Sequence, residues 1–216
     1  MRLILTLLLV VFLSLPAHAD QLADGKAAYL RGDWPNALKL LQPLAEQGNA
    51  EAQSELGWMY KRGSGVKMDL QEALRWFRKA ADQGNAKDEY DLGATLIESV
   101  RISKGAKTDA QAHDEAIKWF RKAAEQGIWQ AELSLGEMYG QADGVKQDYA
   151  EAYFWNTLAA WSCPSGLLPR GDVIMQTKDY LKHLTPEQKT ALDKRVADWL
   201  KLHPVNPVPE AVPLKL

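Results

Sequence analysis

The chain has 216 residues, of which 46% are hydrophobic and 25% charged, and its formal net charge at pH 7 is −2. This composition is ordinary for a globular protein. Basic residues are not in excess, so the composition gives no indication of a nucleic-acid partner. A single cysteine, Cys163, excludes an internal disulfide. Its thiol is either a reactive or intermolecular group or a small side chain of the core.

The first 19 residues match a bacterial secretory signal peptide. Arg2 supplies the positive charge, residues 3–15 form an almost continuous apolar run, and Ala17-His18-Ala19 fits the A-x-A cleavage pattern. The run is too short for a membrane span, which needs roughly 20 residues. We therefore predict cleavage after Ala19 and a periplasmic or secreted product, with an uncleaved anchor as the alternative. No later segment is apolar enough to cross a membrane, so no integral membrane segment is expected after cleavage.

Residues 20–48 have the spacing of a short helical hairpin. Small and aromatic residues recur between Gly25 and Ala37, with Gly32-Asp33-Trp34 at the turn between the two predicted helices. The segment resembles a tetratricopeptide hairpin. We predict that it caps the N-terminal end of the repeats that follow.

A longer unit then recurs three times, over residues 49–84, 85–127 and 128–162. The pair Leu56-Gly57 returns as Leu92-Gly93 after 36 residues and as Leu135-Gly136 after a further 43. The period is therefore 36 residues, with an insertion of seven residues in the middle unit. Self-similarity at this period is typical of stacked helical hairpins.

Each unit divides into two helices joined by a glycine turn. In the first unit we predict helices over Ala50–Lys61 and Asp69–Gln83, separated by Gly63 and Gly65. Glycine suits this turn because it adopts positive φ without strain. Asp69 is placed to cap the second helix, with an acidic residue three positions later as in a capping box.

The apolar spacing explains how the units associate. Ala73, Trp76, Phe77 and Ala80 lie at i, i+3, i+4 and i+7 and so share one face of the second helix. A single hairpin cannot bury apolar residues on both of its sides, so consecutive hairpins are expected to stack. The predicted fold is therefore all-α, an α/α solenoid of helical hairpins.

The seven extra residues of the middle unit fall between Glu98 and His113. Thr108 and Gln111 have the spacing of a capping box. We therefore predict that part of the insertion lengthens the second helix and that the rest enlarges the loop. A long loop of this kind is either a binding element or a tolerated surface insertion.

Residues 163–203 depart from the repeat and are predicted to cap its C-terminal end with two helices. The first is predicted over Asp172–His183, and the second begins after Thr185, whose side chain and that of Gln188 are spaced as a capping box. Residues 204–216 are rich in proline and lack periodicity, so an extended tail is expected.

One set of positions recurs at fixed spacing in the units. In the first unit these positions are Leu56-Gly57-x-x-Tyr60, Gly63-x-Gly65-Val66-x-x-Asp69, Ala73-x-x-Trp76 and Ala80-Ala81-x-x-Gly84. The third unit matches nearly as well, whereas the middle unit has Leu96 where tyrosine is expected and Asp88 where alanine is expected. The pattern, over about residues 22–162, resembles the Sel1-like repeat family, which is related to the tetratricopeptide repeats.

The resemblance implies a non-catalytic scaffold or regulator that binds a partner protein or peptide, and the export signal places it in the bacterial cell envelope. In such solenoids the first helices line a concave face. The candidates for partner binding are the non-consensus residues of those helices, Gln53, Glu55, Trp58, Glu89, Asp91, Glu132 and Glu137. Because the set is acidic with one aromatic residue, we expect a basic or mixed-charge partner. The alternative is a solvated face without a binding role.

No catalytic or metal-binding constellation is recognisable in the sequence. Three histidines remain after cleavage, His113, His183 and His203, and no phosphate-binding or zinc motif is present. We therefore predict neither an enzyme nor a cofactor or metal site. The alternatives are an envelope hydrolase or binder of cell-wall fragments or β-lactams, and a purely structural homo-oligomer. The β-lactam binding described for cysteine-rich Sel1-like proteins is not transferred, because their repeat cysteines are missing here.

Overall fold

The computed structural model describes residues 20–103, 106–164 and 170–203. Within these ranges every regular element is an α-helix, which confirms the all-α prediction. The predicted signal peptide at 1–19 and the predicted tail at 204–216 lie outside the described residues. The helices are α1 over 20–30, α2 Trp34–Glu46, α3 Ala50–Arg62, α4 Leu70–Ala81, α5 Ala86–Ser103, α6 Ala106–Glu125, α7 Trp129–Gln141, α8 Tyr149–Ser162, α9 Arg170–Leu181 and α10 Pro186–Leu202.

The chain divides into two compact units, Met1–Gly84 and Asn85–Leu216. In the first unit, α2 packs on α3, and α3 pairs with α4. In the second unit, α5 pairs with α6 and α7 with α8, α6 packs on α7, and both α9 and α10 pack on α8. The pairs α3–α4, α5–α6 and α7–α8 are the hairpins of the three repeated segments.

The core of the first unit takes apolar side chains from all four of its helices. Ala28, Leu41, Leu56 and Trp76, from α1, α2, α3 and α4 in turn, are buried and belong to one cluster. Removing such side chains from water is the main stabilising contribution to the fold, at roughly 25 cal/mol per Å² of apolar surface. The helices α1 and α2 therefore share one core with the first repeated hairpin.

A glycine in the first helix of a hairpin lets the second helix come close. A Cβ atom at Gly57 would lie 2.6 Å from the ring of Phe77. In the next hairpin a Cβ atom at Gly93 would lie 2.7 Å from the ring of Phe120. Both distances are shorter than any normal contact, so an alanine at either position would push the helices apart.

The predicted aspartate caps are present. Asp69 accepts hydrogen bonds from the backbone amides of Gln71 and Glu72, at 2.9 and 3.1 Å, and α4 begins directly after it. Asp148 caps α8 in the same way. The Glu72 carboxylate accepts from Arg75 instead of completing the capping box, so only the aspartate half of the predicted box forms at α4.

The middle hairpin follows the prediction for its insertion only in part. Helix α5 has 18 residues and α6 has 20, against 13 in α3 and 12 in α4. Because α6 begins at Ala106, Thr108 lies inside the helix and is not its N-cap. The second helix, α6, is longer, as predicted, but the rest of the insertion lengthens α5 instead of a loop. Helix α5 runs past Ser99, the position equivalent to Gly63, which ends α3 at a φ of 69°. A residue with a Cβ atom adopts that conformation only with strain, so the stop is weaker at Ser99 than at Gly63.

The third hairpin has an alanine at this same turn position. Ala142 ends α7 at a φ of 57°, in the left-handed region that is strained for a residue with a Cβ atom. We expect Ala142→Gly to raise the free energy of unfolding by about 1 kcal/mol, as measured by urea denaturation. The reciprocal control, Gly63→Ala, should lower it by a similar amount. A less stable Ala142→Gly variant would contradict this account.

The last two helices are held against α8 by both packing and polar contacts. Thr185 and Gln188 form the predicted capping box at the start of α10, which confirms that prediction. Tyr153 of α8 donates a hydrogen bond of 2.6 Å to Asp193 of α10. The thiol of Cys163, at the end of α8, is buried. These contacts fix the C-terminal helices to the third repeated hairpin.

Candidate binding pocket between α5 and α7

A cavity of about 200 Å³ opens between α5 and α7 in the second unit. Ten residues of the described part of the chain line it: Tyr90, Ala94, Ile97 and Arg101 of α5, Phe120 of α6, Ser134, Glu137, Met138 and Gln141 of α7, and Asp143 just beyond α7. We call this cavity the α5–α7 pocket. Its residues form an apolar floor, a carboxylate wall and a charged rim.

The floor consists of Ile97, Phe120 and Met138, which are all buried. Phe120 reaches this place because Gly93 has no side chain to displace its ring. The half-buried ring of Tyr90 lies beside Phe120, with their centroids 5.8 Å apart. The floor and the Tyr90 ring therefore offer an apolar and aromatic surface to anything that enters.

Glu137 supplies the carboxylate of the wall. It is half-buried, and no residue within 20–103, 106–164 or 170–203 hydrogen-bonds or ion-pairs with it. Burial raises the pKa of Glu137, and the positive charge of Arg101 opposes this only in part. The pKa of Tyr90 is raised by burial and then by the charges of Asp91 and Glu137. Glu137 thus presents a poorly solvated carboxylate to the pocket.

The rim holds a group of charges that balance one another. Arg101 donates to Asp143 at 3.0 Å, and His113 Nε2 lies 3.2 Å from the other oxygen of the same carboxylate. Burial opposes the ionised form of Asp143, but the hydrogen bonds from Arg101 and His113 outweigh it and hold the pKa of Asp143 below its usual range. Arg101 reaches the rim because α5 extends past Ser99.

The model of the Sel1 repeat matches residues 50–85, 90–128 and 129–160. The chain is a Sel1-repeat protein. Its three matched segments correspond to the hairpins α3–α4, α5–α6 and α7–α8. The α5–α7 pocket therefore lies between the first helices of the second and third Sel1 repeats.

Two solved structures are similar to this chain. A Sel1 repeat protein from Oxalobacter formigenes is 26% identical at a TM-score of 0.54, with 85% of this chain and 83% of that chain covered. The c5321 protective antigen of uropathogenic Escherichia coli, described as an SLR fold, is 27% identical at a TM-score of 0.39, covering 78% of this chain and 41% of that one. No curated protein matches the sequence. Sel1-repeat proteins are in general non-catalytic scaffolds for protein interaction.

Four of the seven residues predicted to contact a partner are buried within the Sel1 repeats. Gln53, Glu89, Asp91 and Glu132 expose 4%, 3%, 4% and 1% of their surface, which corrects the expectation that they stand on an open face. Glu55 and Trp58 of the first repeat are half-exposed. Glu137 is the one member of the set that lines the α5–α7 pocket. Partner binding by these residues stays a prediction.

Two of the buried residues belong to a polar pair that is present in both the first and the second Sel1 repeat. In the first repeat, Gln83 Nε2 donates to Gln53 Oε1 at 2.9 Å, and Gln53 Nε2 donates to the carbonyl of Ala45 at 3.0 Å. In the second repeat, Gln126 Nε2 donates to Glu89 at 2.8 Å. The pair ties the start of the first helix to the end of the second helix of its own repeat.

The third Sel1 repeat breaks this pattern. Ser162 takes the place of the glutamine donor and is too short to reproduce its hydrogen bond. Within the described residues, Oε2 of Glu132 is buried without a hydrogen-bond partner. Burial raises the pKa of Glu132 to about 7, and the nearby Ser162 hydroxyl opposes this only in part. The third repeat therefore contains a buried carboxyl that changes charge near neutral pH.

The structure also bears on metal binding and membrane insertion. No three His, Cys, Asp or Glu side chains of the described ranges gather closely enough to hold a metal ion. Among the helices of those same ranges, none combines the length and the apolar character that a transmembrane span requires.

Proposed function

We propose that this Sel1-repeat protein is a non-catalytic interaction scaffold or regulator of the bacterial cell envelope, which binds a segment of a partner protein in the α5–α7 pocket. The observation that carries the proposal is Glu137, a half-buried carboxylate without a hydrogen-bond or ion-pair partner among the described residues, above a buried apolar floor. Keeping a charged group in such a place is costly unless an opposite charge meets it there.

The size of the pocket favours a polypeptide segment as its ligand. A volume of about 200 Å³ is smaller than the roughly 300–1,000 Å³ that is usual for small-molecule sites. A partner protein needs to place only one side chain in such a cavity, while the rest of its segment lies along the exposed surface of α5 and α7. This mode of binding suits a helical repeat, which offers a rigid and extended surface.

The proposed location rests on the first 19 residues of the sequence. Their positive start, apolar run and A-x-A ending support export and cleavage. N-terminal sequencing of the protein from a periplasmic fraction or culture medium should then yield Asp20 as the first residue. A cytoplasmic protein that still begins at Met1 would overturn this part of the proposal.

The interaction is tested by crosslinking in intact cells. A photo-reactive amino acid is placed at Gln141, an exposed residue of the pocket rim, or at Lys118, an exposed residue of α6 outside the pocket. Mass spectrometry should identify a distinct protein that is captured from Gln141 and not from Lys118. Capture of no protein, of equal products from both positions, or of the chain itself alone would contradict the proposal.

A further inference from the structure

The α5–α7 pocket holds one carboxylate that has no ion-pair partner among the described residues. Arg101 at the rim is hydrogen-bonded to Asp143, and the same carboxylate accepts from His113. Glu137 has no such partner in the described part of the chain. Arg101 pairs with Asp143, so the Glu137 carboxylate is left without an ion-pair partner among the described residues, and it lies next to aromatic and apolar side chains. A ligand that neutralises it gains a charge-assisted hydrogen bond in a place that water reaches poorly.

We propose that the pocket receives the side chain of a lysine or arginine from the partner segment. Its cationic head meets the Glu137 carboxylate, and its aliphatic stem lies on Ile97, Phe120 and Met138. This inference rests on the proposed function, since it names the chemistry of the partner for the same pocket.

Both parts of a lysine or arginine side chain find a matching surface. Such side chains bury their methylene stem on apolar surface while the charged end keeps polar contacts. The three floor residues are buried and hydrophobic, as the stem requires. Tyr90 lies at the side of the floor, and its ring face attracts a cation within about 6 Å of the ring centroid. A neutral apolar side chain would leave Glu137 unpaired.

An acidic side chain meets repulsion in the same place. The positive group of the rim, Arg101, is committed to Asp143, whose carboxylate lies next to it. A second carboxylate in the pocket would face both Glu137 and Asp143, and among the described residues that line the pocket Arg101 is the one Lys or Arg available to offset them. Like charges at close range disfavour binding. The pocket therefore selects for positive charge as well as for an apolar stem.

The proposal is tested with short peptides and the full chain. Four peptides of the form acetyl-Ala-Ala-X-Ala-Ala-amide carry lysine, arginine, norleucine or glutamate at X. Norleucine has an apolar stem close to that of lysine but no charge. The amide signals of ¹⁵N-labelled protein are followed by NMR during titration. Lysine and arginine peptides should shift the signals of Tyr90, Ser134 and Glu137, whereas the norleucine and glutamate peptides should bind at least tenfold more weakly.

A pair of isosteric variants separates the pocket from the rest of the surface. Glu137→Gln removes the charge and keeps the shape, so affinity for the lysine peptide should fall about tenfold. Glu125→Gln removes an exposed carboxylate at the end of α6, outside the pocket, and should leave the affinity unchanged.

The outcomes distinguish this inference from the proposed function. Equal binding of the lysine and norleucine peptides, no shift with any peptide, or equal loss in both variants overturns the cationic pocket. A protein still captured from Gln141 in cells would in that case leave the scaffold function standing. The reverse result, a lysine-selective pocket without a captured protein, would overturn the scaffold function and leave the chemistry of the pocket standing.

Discussion

Replacement of Phe77 by alanine should lower the free energy of unfolding by about 4 kcal/mol, the usual cost of removing a fully buried aromatic ring. Phe77 is completely buried in α4 and packs on α3 where Gly57 has no side chain. Its ring also contacts Trp58 edge-on, with centroids 5.6 Å apart. Urea denaturation followed by circular dichroism measures the loss. A cost under 1 kcal/mol would show that this contact does not hold the hairpin together.

The role of the glycine is tested by a double-mutant cycle. In the wild-type background Gly57→Ala should cost about 2 kcal/mol, because the added Cβ would lie 2.6 Å from the Phe77 ring. In the Phe77→Ala background the ring is gone, so the same change should stabilise the helix by up to about 1 kcal/mol. An equal cost of Gly57→Ala in both backgrounds would mean that close approach is not the reason for the glycine.

The hairpins of the Sel1 repeats could be predicted because their determinants are local. Asp69 caps α4 through amides two and three residues away. Gly63 ends α3 by its own backbone conformation. Each of these effects depends on neighbours within one turn of the helix, and each is repeated in another unit. The positions and the order of the helices were therefore readable from the spacing of a few residues.

The lengths of α5 and α6 were predicted less well, although a signal was present. The decisive residue is Ser99, which aligns with Gly63 across the period of 36 residues. At Ser99 the backbone does not take the left-handed conformation that ends α3 at Gly63, so α5 continues until a later residue ends it. The prediction placed the helix start at Thr108 and gave only part of the insertion to the second helix, so it assigned the remaining residues to a loop.

The candidate site was predicted only in part, because burial of a polar side chain depends on distant partners. Gln53 is satisfied by Gln83, 30 residues later, and Glu89 by Gln126, 37 residues later. The residues next to Gln53 and Glu89 in the sequence do not predict that partner. The expectation of exposure rested on their non-consensus positions in the first helices of the repeats, and such a position does not show whether a side chain is buried.

The pocket itself depends on the same kind of long-range relation. Tyr90 and Arg101 of α5 face Glu137 of α7 only after the second and third Sel1 repeats have packed. One local signal could have pointed to Tyr90, since the equivalent positions of the other repeats hold Ser54 and Leu133. A phenol at a position that is otherwise small or aliphatic is a departure that the consensus does not require.

Glu132→Gln should remove a pH dependence of stability that the wild-type protein shows between about pH 4.5 and pH 7. The carboxyl is 1% exposed, and its pKa rises from 4.5 to about 7 on folding. Because the folded pKa is the higher one, folding favours the protonated form, and its stabilisation is complete below pH 4.5. This stabilisation is lost as pH rises through 7, by roughly 3 kcal/mol in total. Urea denaturation at several pH values measures the difference between variant and wild type.

The variant should match the wild type near pH 4.5 and be more stable by roughly 2–3 kcal/mol at pH 8. Glutamine is suited to this position because Gln53 of the first Sel1 repeat donates to Ala45, eight residues earlier, and Ala124 stands eight residues before Glu132. As a matched control, Ser162→Gln restores the donor of the other repeats. It should lower the pKa of Glu132 and weaken the pH dependence while the carboxyl is kept. Parallel stability curves for Glu132→Gln and wild type across this pH range would show that Glu132 is already ionised at acidic pH and that its burial does not govern the third repeat.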